Sequence, residues 1–435
     1  MQPFLPSASG VDSGRILRDV LVPVIAQGAV LRRPRVGVIA ERLRVDDRAL
    51  DCVRRMRRPY GDGPVLLRIR DRTLALVLAP ADVHRLLTET PEPFAAATGT
   101  KIGALTHLQP HAVLVTNSSL RAPRRELNEQ ALGTHTPVHP YGHRFAEVVR
   151  EELDRLHVTL GWNDFRAIWS RVVRRVVLGD TARDDEELTA QLDQLRADAN
   201  WAQFGADHEE LRSRFLTTVA GYVDRAEPES LVAALDRGPE PLDPAGQVPH
   251  WLFAFDAVGI ALWRLFAVLG THPSALEPLI AEARHPEASP LLAEAGAAVQ
   301  ESLRLWPTTL VVLRQAREQT NWRDRIAPAG TEFVIVSSVF HRDDDALDFA
   351  NRFEPSAWLD GRTDGAWPII PFSEGPAGCP GQNVVLLTAG TAASHVATRY
   401  DLDVDPTTRA HLTDPLPRTF NHAAVRIGFW RRSSA

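Results

Sequence analysis

The pattern of apolar and polar positions divides the chain into a mixed first part, a long helical body and a mixed last part. From Val30 to Tyr60 apolar residues recur at helical spacing among many basic ones, and Arg57 to Gly63 has the Pro and Gly content of a closing turn. Val65 to Leu78 alternates about Asp71-Arg72, which predicts a hairpin, and Pro80 to Thr88 reads as a helix. Phe94 to His111, rich in Thr, Gly and His, shows no period and predicts loop with short helical pieces. His143 to Leu235 is helix after helix, broken at Gly179 to Asp185 and at Arg225 to Glu229. Pro249 to Gly270 is apolar all round, the pattern of a helix buried on nearly every side, about 30 Å long at about 1.5 Å per residue. A further helix is predicted over Pro380 to Arg399 and a terminal β region near Phe420 to Trp430.

With 435 residues, 44% hydrophobic and 24% charged, the chain has ordinary globular composition, and no linker divides it, so one large domain over residues 1–435 is expected. A net charge of -6 argues against a dedicated nucleic-acid binder. Two cysteines, Cys52 and Cys379, make a disulfide framework implausible and point to a reducing compartment. Met1 to Gly10 lacks a charged region followed by an apolar core, and Trp251 to Gly270 is interrupted by Asp256 and Arg264. A soluble, cytoplasmic protein is expected. The Arg- and Ala-rich, Lys-poor composition suggests a GC-rich bacterial genome.

The most informative run is Phe372 to Gly381, Phe-Ser-Glu-Gly-Pro-Ala-Gly-Cys-Pro-Gly. A thiolate ligand needs a tight loop that brings backbone N–H groups to its sulfur, and Gly375, Gly378 and Gly381 offer that freedom. Phe372, Gly375, Cys379 and Gly381 fall on the Phe-x-x-Gly-x-x-x-Cys-x-Gly pattern, and here the chain resembles the cytochromes P450, in the soluble bacterial branch.

The resemblance implies a mainly α fold with small β regions, in which haem b lies between a long distal helix and the ligand loop, with Cys379 as the iron ligand. It divides the domain into an N-terminal segment and β region (about 1–79), a helical body (about 80–300) and a haem-binding part (about 301–435). Leu120 and Arg124 would stand where the family places Trp or His and Arg on a haem propionate, so one donor is missing while Arg124 and Arg314 remain as cofactor contacts. Arg121, Arg124 and Arg125 would make a basic face for an acidic electron donor. Glu301 and Arg304 resemble the family's Glu-x-x-Arg, braced by Arg352. Anchored on His272-Pro273, Ala254, Asp256, Ala257 and Val258 align with Ala/Gly-Gly-x-Asp/Glu-Thr-Thr, which keeps the acid and loses the threonine. Asp256 and Ala257 are therefore the catalytic positions of interest. His107, Trp201, Phe204, Phe253, Leu310 and Val311 are expected to line the substrate pocket.

In the family, the threonine assists proton delivery, a contribution typically about 100- to 10,000-fold. Two functions follow. One is O2-dependent oxygenation of a small, mostly apolar molecule of bacterial secondary metabolism, with substrate or water delivering protons and a ferredoxin or flavodoxin-type partner supplying electrons. The other is O2-independent haem-thiolate chemistry: nitrene or other group transfer with cyclisation, isomerisation, or peroxide-driven oxygenation.

Overall fold

The computed structural model describes residues 2–28, 30–69, 72–156, 158–201, 208–238, 240–285, 289–365 and 367–432. It is mainly helical, with a five-stranded sheet near one end, a three-stranded sheet and a two-stranded ribbon.

The five-stranded sheet runs in the order Val65–Ile69, Arg72–Leu76, Glu332–Val336, Val311–Ala316, Phe94–Ala95. Val65–Ile69 and Arg72–Leu76 form the predicted hairpin, with Val65 opposite Leu76 and Ile69 opposite Arg72. The second strand pairs in parallel with Glu332–Val336, which pairs antiparallel with Val311–Ala316, placing Arg314 opposite Phe333. The apolar runs thus bury both faces of the sheet's middle. Pro80–Thr88 is helical, and the loop after Phe94 contains one short helix, Gly99–Leu105.

The helical body is built on Val248–Thr271, which packs against Trp162–Leu178, Ala293–Leu305 and Gln382–Arg399. Its residues from Val258 to Gly270 are buried except Arg264, as the all-round apolar pattern predicts. By length and composition one helix among the described residues, within Glu240–Thr271, could cross a membrane, yet 72% of its most apolar window is buried inside this fold. Gly259 lets Trp169 lie against the helix: a Cβ there would stand 2.6 Å from the Trp169 ring, whose Nε1 donates to Phe255 O at 2.8 Å. The three-stranded sheet joins Thr159–Gly161, Arg426–Arg431 and Tyr400–Val404.

Candidate active site

The loop Phe372 to Gly381 is closed by main-chain bonds from Cys379 N to Phe372 O at 2.9 Å and from Gly378 N to Gly375 O at 2.8 Å. Gly375 has φ 67°, and a Cβ on it would meet Leu87 O at 2.3 Å, so this position requires glycine twice over. Gly381 is different. Its φ is -100° and a Cβ would make ordinary contact with Leu132 at 3.7 Å; its contribution is the N–H it directs at the Cys379 sulfur. Burial pushes the Cys379 thiol up, while that N–H and the charge of Arg125 pull it down.

Cys379 opens into a cavity of about 290 Å³. Opposite it the helix Val248–Thr271 presents His250, Phe253, Ala254, Ala257 and Val258, one stripe at helical spacing. Pro307, Thr308, Val311 and Val312 form a side wall. His250 makes no hydrogen bond among the described residues, its Nδ1 is buried without a partner, and burial lowers its pKa to about 4, so the ring is neutral.

One edge of the cavity carries Lys101, Arg121, Arg125 and Arg314. Lys101, the only lysine in the sequence, donates to Ala96 O at 2.9 Å, and burial, with Arg314 and Arg121 nearby, lowers its pKa to about 7. Arg314 donates to Thr90 Oγ1 at 2.9 Å and Ser373 Oγ at 3.3 Å, and burial lowers it to about 10. Among these cations only Arg125 has a carboxylate partner within the described residues, Glu129 at 2.6 Å. Buried cations without counter-charges suit a flat ligand with an anionic edge. Apolar walls, a sulfur on one face and cations at one rim all fit haem.

Behind the ligand loop, Arg304 binds both oxygens of Glu301 at 2.7 Å, both side chains 0% exposed. Arg304 also donates to the carbonyls of His341, Phe349, Ala350 and Arg352, and Glu301 accepts from Trp358 Nε1 at 3.0 Å and Glu354 N at 2.8 Å. The ion pair therefore staples the strand-to-loop segment beneath the cavity.

The profile of the family described as Cytochrome P450 matches residues 290–425, which hold Glu301, Arg304 and Cys379. Cyclooctat-9-en-7-ol 5-monooxygenase of Streptomyces melanosporofaciens is 30% identical over 217 residues, 47% of this chain and 44% of that protein. Secologanin synthase 1 of Catharanthus roseus is 31% identical over 110 residues, 24% of this chain and 21% of that protein. The alignments thus span less than half of these curated relatives. Among solved structures, the cytochrome P450 CYP102L1 superposes with a TM-score of 0.71 at 16% identity, over 88% of this chain and 94% of that one. Retinoic acid-bound cyanobacterial CYP120A1 gives 0.71 at 16% identity, over 99% and 100%. The chain has the cytochrome P450 fold, and its residues 290–425 match that family.

Several expected site positions lie elsewhere in this protein. Arg124 does not reach the cavity. Its guanidinium donates to Leu242 O, Thr116 Oγ1 and Pro241 O at 2.9 to 3.1 Å, whereas Arg121 and Arg125, also four apart, line the cavity. The helix phase selects the second pair, so Arg121 takes the place assigned to the missing donor. With Arg124 buried and its neighbours turned to the cavity, the expected basic docking face is not on the surface. Asp256 also turns away: it pairs with Arg166 at 3.1 Å and Arg196 at 2.7 Å on the far side of its helix. Burial alone would raise its pKa, but these two arginines hold it below the ordinary carboxylate value. Arg352 contributes only its carbonyl to Arg304, its side chain being exposed.

Phe253, Val311, Ala257, Phe372 and Arg314 line the cavity. Leu310 lines a second cavity, beyond Pro307. His107 is half-buried and outside the cavity lining, and Trp201 is 54% exposed, with Arg33 over its ring at 4.3 Å. Phe204 lies outside the described residues. The sequence reading leaves out Lys101 and His250 and gives Arg121 and Arg125 only a docking role, although a sole lysine in an arginine-rich chain and the 250/253/254/257 stripe are both visible there.

Proposed function

We propose that this protein is a single-domain haem-thiolate monooxygenase that holds haem b and acts in the cytoplasm on a small, mostly apolar molecule of bacterial secondary metabolism. The observation that carries this reading is the Cys379 sulfur facing an apolar wall across a cavity whose rim cations Lys101, Arg121 and Arg314 lack counter-charges among the described residues. Haem bound there supplies an iron centre for activating O2.

The chain's own residues then divide the work. Cys379 would hold the iron through its sulfur, which accepts the Gly381 N–H, while Pro380 offers no second N–H to it. Lys101, Arg121, Arg125 and Arg314 clamp the anionic edge. Phe253, Val258, Val311 and Val312 exclude water and orient the substrate. Ala257 offers no hydroxyl and Asp256 is engaged by two arginines, so a proton enters by way of a substrate hydroxyl or an ordered water. Electrons come from a ferredoxin or flavodoxin-type donor. The name of the Streptomyces relative, a monooxygenase of a cyclic alcohol, supports oxygenation.

The same two residues favour a second reading, chemistry that needs no proton relay and no O2, such as nitrene or other group transfer, isomerisation or peroxide-driven oxygenation. Product formation from aromatic and terpenoid metabolites with a surrogate reductase, in air and without oxygen, separates the two. A product one oxygen heavier, made only in air, is the expected result; a product that persists without oxygen replaces the first reading by the second. Cys379→Ser should keep the fold, since its loop bonds are main-chain, and lose at least about 100-fold in turnover.

A further inference from the structure

Beyond Pro307 lies a second, small cavity of about 40 Å³, which shares that residue with the wall of the haem cavity. It is closed by three distant parts of the chain: Arg32 and Arg33, Arg264 of the central helix, and Phe420 to His422. Its chemistry is donor-rich. Arg32 donates to Thr308 O at 2.5 Å and Gly28 O at 3.2 Å, and Arg264 to Trp306 O at 3.0 Å and Phe420 O at 2.9 Å. Neither arginine has an ion-pair partner among the described residues. Burial lowers them only to about 10 and about 9, so both are cations at neutral pH. Arg264 Nε, Arg33 Nη2 and Asn421 Nδ2 are buried without a hydrogen-bond partner, Asn421 itself being 6% exposed.

The carboxylates around this cavity are engaged elsewhere or discouraged from ionising. Asp46 accepts from Thr419 Oγ1 at 2.8 Å, and burial pushes its pKa up. Glu41 accepts from Asn421 N at 2.8 Å and stands 3.3 Å from His411. Asp47 and Asp344 pair with Arg418 at 3.0 and 2.6 Å. Two guanidiniums therefore lack a counter-charge and three buried N–H donors lack an acceptor, and an unused buried donor costs free energy until one arrives.

We infer that this second cavity binds the carboxylate of an acidic substrate whose apolar body passes Pro307 into the haem cavity. The planar guanidinium of Arg264 and the Asn421 amide suit the two oxygens of a carboxylate. Thr308 couples the two spaces, since its carbonyl holds Arg32 while the residue lines the haem cavity. The inference rests on the haem-thiolate reading and adds the substrate's charged end to it.

The test uses the haem-loaded protein, with dodecanoate, dodecanol and acetate as probes, followed by the haem absorbance shift and by calorimetry. Dodecanoate should shift the absorbance with an affinity at least about tenfold tighter than dodecanol. Asn421→Asp should erase that preference while leaving dodecanol binding unchanged, and Arg32→Met, which also releases the Thr308 carbonyl, should erase it too. Asn421→Asp guards against misfolding, because the Nδ2 it replaces bonds nothing and the bond that Oδ1 accepts from Ala423 N is kept. Equal affinities for acid and alcohol, or a preference that survives in Asn421→Asp, overturns the inference. Acetate binding as tightly as dodecanoate, with no absorbance shift from either, also overturns it, because the cavity is then a separate anion site. Protein purified without haem absorbance fails the earlier reading instead, and calorimetry of dodecanoate on wild type and Asn421→Asp still decides the carboxylate site.

Discussion

Arg304 and Arg314 are both sealed inside this protein, at 0% and 2% exposure, and they are held in opposite ways. Arg304 meets both oxygens of Glu301 and four main-chain carbonyls, so its charge and its donors are fully answered. Arg314 meets a threonine, a serine and its neighbour's carbonyl, and the charges nearest to it in effect are the cations Lys101 and Arg121. A buried charge supplied with its own partner holds the fold. One left among like charges is prepared for something that arrives later.

The largest effect expected from this contrast is at the answered pair. Glu301→Gln strands a buried guanidinium and should cost about 3 to 5 kcal/mol, seen as loss of soluble, haem-containing protein and an earlier urea midpoint. Arg314→Leu should behave differently in the two states. Haem-free protein should be as stable as wild type or more so, whereas haem transfer to apomyoglobin should speed up about tenfold. Equal destabilisation of both states would break the comparison.

A smaller, pH-dependent effect belongs to Lys101. Its folded pKa of about 7 lies below the ordinary lysine value of 10.5, so between these pH values the unfolded chain binds the extra proton. Stability of the haem-free protein should therefore rise as pH increases from about 7 towards about 10.5, and Lys101→Met should flatten that slope. Bound haem should flatten it too, because an anionic edge restores the lysine's charge. Chemical denaturation across that pH range checks the sign. The smallest effect is expected where the wall carries no charge: Ala257→Thr should shift stability by no more than about 0.5 kcal/mol and raise only the fraction of consumed O2 that ends in product.

What could be read from the sequence follows the same division. The ligand loop, Glu301 with Arg304, and the all-round apolar helix are local patterns, and each stands within a few residues of where the sequence put it. The cation rim was misread because the pairs 120/124 and 121/125 have the same spacing, and only packing against Gln247 and Trp251 through Asn128 fixes which face turns inward. Asp256 was assigned to the reaction because its partners, Arg166 and Arg196, stand 90 and 60 residues away on other helices. Arg352 fails for a subtler reason: the family position is kept, yet it is the carbonyl that Arg304 uses.

The bond from Arg32 to Thr308 spans 276 positions, and the neighbouring bond from Asp46 N to Thr419 Oγ1 spans 373. During synthesis the N-terminal side of the second cavity leaves the ribosome long before Thr419 to His422 exist to meet it. That wall is therefore among the last parts of the molecule to close, after the helical body already has most of its own contacts. A nascent chain stalled before residue 419 should bury its central helix yet leave the helix Pro34–Arg42, which packs against His422–Ala424, accessible to protease.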